Sequence, residues 1–127
     1  MYADEAELNR LSERIIGCAF AVANTLGVGF AEKVYENALT LELRQDAMRA
    51  EQQRGIIVLY NGLIVGQYAA DILVEEAVII EVKATRTTDP GHLAQCRNYL
   101  KATGLRLCLL INFGGPRVEV RRVVLSL

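Results

Sequence analysis

The sequence predicts a mixed α/β domain in the order ααβββαββ, with part of its β-sheet parallel. Three observations carry this expectation. Two stretches with the 3.6-residue apolar period of a helix precede any strand-like run. An Asn-Gly dipeptide then separates two β-rich runs, the pattern of a tight hairpin. Finally, a helical stretch lies between two runs rich in Val, Ile and Leu, which suits a crossover and makes part of the sheet parallel.

Leu8, Leu11, Ile15, Cys18, Val22 and Leu26 recur at spacings of three and four, so the first helix carries one apolar stripe and stops at Gly27. After the turn Gly27-Val28-Gly29-Phe30, a second helix is expected from about Ala31 to Asp46. Its stripe is Val34, Ala38 and Leu41, with Tyr35 and Leu39 beside it.

From about Arg49 the pattern changes. Gly55 to Tyr60 and Leu63 to Gly66 form a hairpin across a type I′ Asn61-Gly62 turn. The second strand runs on through Tyr68, Ala70, Asp71, Ile72 and Val74, turns at Glu75-Glu76 and returns as Ala77 to Lys83, completing an antiparallel meander. Thr85 to Pro90 is a loop, with Asp89 or Thr88 available to cap a third helix from about Gly91 to Thr103, ended by Gly104. Leu105 to Phe113 is a strand and Gly114-Gly115-Pro116 breaks it. Val118 to Arg121 alternates as an edge strand that Arg121 and Arg122 blunt.

The 127 residues fit one domain, and 52% hydrophobic content is enough for a core. With 14 Lys and Arg against 15 Asp and Glu, there is no global basic field, so a polyanion site must be local. Cys18, Cys96 and Cys108 are odd in number and form no CxxC pair, which argues against a disulfide framework or a zinc site and for a reducing compartment. The start Met1-Tyr2-Ala3-Asp4-Glu5 is acidic where a signal peptide would be basic. No apolar run approaches the ~20 residues of a membrane span. A cytoplasmic protein without membrane contact is expected.

The chemistry concentrates at Glu81-Val82-Lys83, where two ionisable residues point to one face at the end of the apolar run Ala77 to Ile80. A carboxylate inside such a sheet costs several kcal/mol unless a cation, a metal or water compensates it. Asp71, one strand earlier, offers a second carboxylate, and the turn decides whether the two meet. A two-residue loop pairs Val74 with Ala77 and sends them to opposite faces. A three-residue loop, Glu75-Glu76-Ala77, pairs Val74 with Val78 and sets Asp71 opposite Glu81, with Cβ atoms roughly 5 Å apart. Like charges in that position make sense with a divalent cation between them, and carboxylate oxygens suit Mg²⁺ or Mn²⁺. The alternative is a solvated strand end on which Glu81 and Lys83 pair with neighbours.

In order, Asp71, Glu81-Val82-Lys83 and Gln95-Cys96-Arg97-Asn98-Tyr99 resemble the D, ExK and QxxxY series of the PD-(D/E)XK nuclease superfamily, particularly its RecB-like branch. Upstream, Gly29-Phe30-Ala31-Glu32-Lys33-Val34-Tyr35 resembles the signature of the GxxExxY protein family within it. The likeness runs from about Leu8 to Val124. Ala70 stands where the superfamily's eponymous proline would be.

The resemblance implies a restriction-endonuclease-like core, a mixed β-sheet flanked by helices, and a metal-dependent nuclease of DNA or RNA. Asp71, Glu81 and the Val82 backbone carbonyl would hold Mg²⁺ or Mn²⁺, with Glu32 as an additional acid. Lys83 would position or deprotonate the attacking water, and Gln95 and Tyr99 would face the active site and the nucleic-acid backbone. The cation would lower the pKa of a water and stabilise charge on a phosphoryl oxygen. Arg86, Arg97 and Lys101 could form a phosphate rim; His92, one turn before Gln95, could reach a phosphate or simply cap its helix. Tyr35 reads as packing.

The small size and weak general attraction to DNA point to a homodimer, a protein partner or a restricted substrate. They also leave a noncatalytic module that binds nucleic acid or a protein as the competing function.

Overall fold

The computed structural model describes residues 4–125, so the residues Met1-Tyr2-Ala3 of the acidic start lie outside them. Helix α1 spans Glu5–Leu26; Asp4 accepts the Glu7 N–H at 2.8 Å at its start, and Gly27 ends it at φ 68°. Its buried stripe is Leu8, Ser12, Ile15, Cys18, Ala19 and Val22.

Helix α2 spans Glu32–Gln45 but buries a different face from the one expected. Tyr35, Glu36, Leu39, Thr40 and Leu43 are inside, whereas Val34 is 38% and Leu41 58% exposed. The rotation follows from Tyr35, the largest fully buried side chain. Its hydroxyl donates to Gly27 O at 2.5 Å and accepts the Phe30 N–H at 3.3 Å, and its ring stacks on Phe113 with centroids 4.9 Å apart. Packing a stacked aromatic dictates the helix face here, and Tyr35 is a core strut.

Strands β1 (Ala50–Tyr60) and β2 (Leu63–Val74) form the hairpin, with Asn61 at φ 52° and Gly62 at φ 78°, the doubly left-handed geometry of a type I′ turn. β1 starts five residues earlier than the expected Gly55, because Glu51, Gln52 and Arg54 of the polar run pair with β2. Strand β3 (Val78–Lys83) is antiparallel to β2. Helix α3 (Pro90–Thr103) is the crossover to β4 (Leu107–Asn112), which runs parallel to β3, and β5 (Glu119–Val124) closes the order β1-β2-β3-β4-β5.

Two hydrophobic layers cover the sheet. α1 and α2 pack on one face over Ile72, Val74, Ile80, Val82, Leu109 and Ile111. α3 packs on the other over Leu73, Ile79, Cys108 and Leu110. Arg122 does more than blunt an edge: it donates to Ser12 Oγ at 3.1 Å and Asn9 Oδ1 at 2.6 Å, tying β5 to α1.

The ends of β3 and β4 are laced together. The Phe113 N–H donates to Lys83 O at 2.8 Å, and the buried Asn112 Oδ1 accepts the N–H groups of Thr85 and Gly114 at 3.0 and 2.9 Å. Gly114 passes so close that a Cβ there would lie 2.3 Å from the backbone N and O of Thr85. Gly114→Ala is therefore expected to destabilise the protein by about 1–3 kcal/mol, read as a lower urea midpoint at unchanged m-value.

Candidate active site

The loop between β2 and β3 is the three-residue one. Val74 pairs with Val78 and Ile72 with Ile80, Ala77 N–H closes on Val74 O at 2.9 Å, and Glu75 and Glu76 both stand at φ 53°. One step further along that register, Asp71 is opposite Glu81. There the backbone ladder stops and the side chains replace it. The Asp71 N–H donates to Glu81 Oε2 at 2.8 Å, and the Val82 N–H donates to Asp71 Oδ2 at 2.8 Å.

On the other flank, Gln53 stands at φ 55° and its expected pairing with Asp71 is absent from the β1–β2 ladder. Its amide reaches toward Asp71 Oδ1 at 3.5 Å. The sheet is thus opened around Asp71 on both sides. Backbone N–H groups hold Asp71 Oδ2 and Glu81 Oε2, whereas among the described residues Asp71 Oδ1 and Glu81 Oε1 have no backbone donor.

Burial sets the electrostatics. Glu81 is 3% exposed. That desolvation, joined by the charge of Asp71, pushes its carboxyl up to about 8, against the opposing pull of the Asp71 N–H and Lys83. Asp71 is also raised, first by burial and then by the charges of Glu36 and Glu32, while the Val82 N–H and Lys83 act the other way. Two acids that both resist ionisation next to one half-buried lysine form a site short of positive charge. Lys83 ends β3 on the Glu81 face and has no ion pair within 4.0 Å among the described residues.

Gln95 and Tyr99 come to the same cluster from α3. Gln95 Nε2 donates to the Tyr99 hydroxyl oxygen at 3.0 Å, which leaves the phenolic proton free to donate. Tyr99 is pushed up to about 12 by burial and then by the charges of Glu81 and Asp71. Glu32 is exposed on the first turn of α2, near enough for its charge to act on Asp71.

The residue that the sequence reading missed is Glu36, one turn on. It is 3% exposed and accepts Lys33 Nζ at 2.9 Å, Gln52 Nε2 at 2.8 Å and Gln53 Nε2 at 3.1 Å, so it holds the very residue that opens the sheet beside Asp71. The i,i+4 spacing from Glu32 was the available signal.

His92 serves its helix: Asp89 accepts the Gly91 N–H, and His92 Nδ1 accepts the Asp89 N–H at 3.3 Å. Arg86 is exposed on the loop after β3, and Arg97 and Lys101 are exposed on α3.

Two carboxylates, each with one oxygen outside the backbone hydrogen bonds, suit a hard cation. Among the described residues no three or more His, Cys, Asp or Glu side chains gather as a metal cluster. Among the described residues, too, no helix is long and apolar enough to cross a membrane. All three cysteines are free and buried.

Two solved structures are similar to the chain. SSO0001 aligns with a TM-score of 0.61 at 17% identity, covering 76% of this chain and 51% of its own, so the chain spans about half the length of that protein. An alkaline exonuclease, LHK-Exo from Laribacter hongkongensis, aligns with a TM-score of 0.49 at 12% identity over 85% of this chain and 76% of its own. No curated protein matches the sequence. The family model described as PD-(D/E)XK nuclease superfamily matches residues 9–123, nearly the whole length. The chain belongs to the PD-(D/E)XK nuclease superfamily.

Proposed function

We propose that this chain is a metal-dependent nuclease that hydrolyses phosphodiester bonds of DNA or RNA within one domain. The observation that carries the reading is the reciprocal anchoring of Asp71 and Glu81 across the opened end of β2 and β3, with Lys83 on the same face. Superfamily membership adds support, since such nucleases generally use divalent ions.

Asp71, Glu81 and the Val82 carbonyl would hold Mg²⁺ or Mn²⁺, with Glu32 close enough to contribute through water. When bound, the cation would supply Lewis acidity toward water and a phosphoryl oxygen. The chain's own residues do the rest. Lys83 orients the attacking water and donates to the charge that develops on the phosphate. Tyr99, its oxygen held by Gln95, donates a hydrogen bond to the substrate backbone. Arg86 and the free Nε2 of His92 contact flanking phosphates.

The Gly29 to Tyr35 signature supports placement in the GxxExxY family, and the Gln95 and Tyr99 pair supports the RecB-like branch. The free buried cysteines fit a cytoplasmic setting.

Calorimetric titration with Mn²⁺ tests the site. Binding is expected for the wild type and its loss for Asp71→Ala, with cleavage of nucleic acid lost in parallel. Binding that survives Asp71→Ala, or a cation-loaded protein that cleaves neither DNA nor RNA, would leave the noncatalytic module as the better reading.

A further inference from the structure

Beyond the catalytic cluster, the distal half of the β1–β2 hairpin leans over α3 and encloses a groove of about 700 Å³. Ile57, Leu59 and Tyr68 line its hairpin wall, and Gln95, Asn98 and Tyr99 its helix wall. Gln95 and Tyr99 therefore belong to both the groove and the acidic cluster, so whatever fills the groove continues directly into the site.

The lining has an unusual balance. Its single charged residue is Lys101, and no carboxylate enters it, although the chain as a whole has net charge -1. Tyr68 is 54% exposed with its ring tilted 48° against Tyr99 at a centroid distance of 5.7 Å. Gly66, whose added Cβ would lie 3.5 Å from Tyr68 Cε2, backs the same ring. Ile57 and Leu59 are 51% and 60% exposed, which is apolar surface this chain leaves uncovered.

A duplex gripped along its backbone requires several cations in a row. A supported, half-exposed aromatic ring with apolar neighbours, two amides and one lysine instead matches the requirements of unpaired bases: π-faces to stack on, donors and acceptors at their edges, and a charge for one phosphate. The volume falls in the range of roughly 300–1,000 Å³ that encloses a small ligand, and is far too small for a double helix.

We infer that this groove seats unpaired bases adjoining the scissile phosphate, stacked on Tyr68, so that the substrate is a single strand or a single-stranded end. The inference rests on the nuclease reading of the adjoining site and narrows its substrate class. Lys101 pairs with the backbone of the seated strand, and Asn98 and Gln95 meet the base edges.

The test is fluorescence anisotropy of the full chain in EDTA, with a short labelled oligothymidylate and a labelled duplex of the same length as probes. The single strand is expected to bind at least about tenfold tighter than the duplex. Tyr68→Ala should weaken it roughly 5- to 100-fold, and Tyr68→Trp should retain it. Because Tyr68 is 54% exposed, these variants are expected to fold, with a wild-type circular dichroism spectrum as the control; Asn98→Ala, a milder change in the same groove, should weaken binding in the same direction.

Equal or tighter duplex binding, or wild-type affinity in Tyr68→Ala, overturns the inference. So does a concentration-dependent dimer that Tyr68→Ala dissolves while oligonucleotide binding is absent. The two readings fail separately. Cleavage with Mn²⁺ that Tyr68→Ala leaves unchanged removes the groove and keeps the nuclease. Tyr68-dependent strand binding without cleavage under any divalent cation removes the nuclease and keeps the groove.

Discussion

Lys83→Ala is expected to lower phosphodiester cleavage by roughly 10²- to 10³-fold, the usual consequence of deleting one preorganised donor aimed at developing charge. The geometry makes Lys83 hard to replace. It ends β3, its carbonyl is fixed by the Phe113 N–H, and its side chain shares the Glu81 face. It is also a cation whose field lowers the pKa of both acids. Its loss therefore raises the pH at which Glu81 ionises, and the rising acid limb of the rate profile moves to higher pH. Single-turnover cleavage across pH, alongside Mn²⁺ titration, separates the roles. Retained Mn²⁺ binding with a lost rate is the expected pair. A rate within a factor of a few of wild type would remove Lys83 from the chemistry. Lys83→Arg should recover little, because a planar fork does not replace a compact ammonium at a half-buried strand end.

Glu81→Gln is expected to do two opposite things: abolish Mn²⁺ binding and stabilise the cation-free protein at alkaline pH. Glu81 ionises at about 8 in the folded state and near 4.5 ordinarily. Between those values the folded protein keeps a proton that the unfolded chain releases. The Glu81 contribution to the stability of the cation-free wild type is therefore full below about 4.5, falls as pH rises, and levels off above about 8. The loss is on the order of a few kcal/mol.

Glutamine keeps an oxygen for the Asp71 N–H and carries no charge, so the variant should show a shallower decline and exceed the wild type at pH 9 while matching it at pH 5. Urea unfolding at those pH values, in EDTA and in Mn²⁺, is the measurement. Mn²⁺ should flatten the wild-type profile and leave the variant unchanged. A flat wild-type profile in EDTA would mean that the Glu81 carboxylate is well hydrated despite its burial.

The sequence disclosed those features that depend on local chemistry. Asn61-Gly62, Gly27 and Asp89 marked a turn, a stop and a cap because each residue type satisfies a particular backbone requirement. The β2–β3 register was legible only as a choice between two loops. Glu75-Glu76-Ala77 contains no glycine to announce the two left-handed positions that it adopts. The α2 face was misread because apolar periodicity cannot foresee that Tyr35 would find Phe113, far along the chain, to stack on. Glu36 escaped notice because a glutamate on a helix is ordinarily solvated, and its partners Gln52 and Gln53 come from a strand start that polar residues concealed.

The crossover has a consequence for the order in which the chain acquires its parts. Asp71, Glu81 and Lys83 lie on neighbouring strands joined by a three-residue loop, an arrangement expected to close early through local contacts. Tyr99 and Gln95 are expected to arrive only when α3 docks and β4 pairs in parallel, a later step that must close a longer loop. The acids are thus brought together while still wet, and the expense of drying Glu81 falls on the docking of α3 rather than on hairpin closure. Alkaline conditions should therefore slow late consolidation more than early collapse, and a cation already seated between the strands should hasten it.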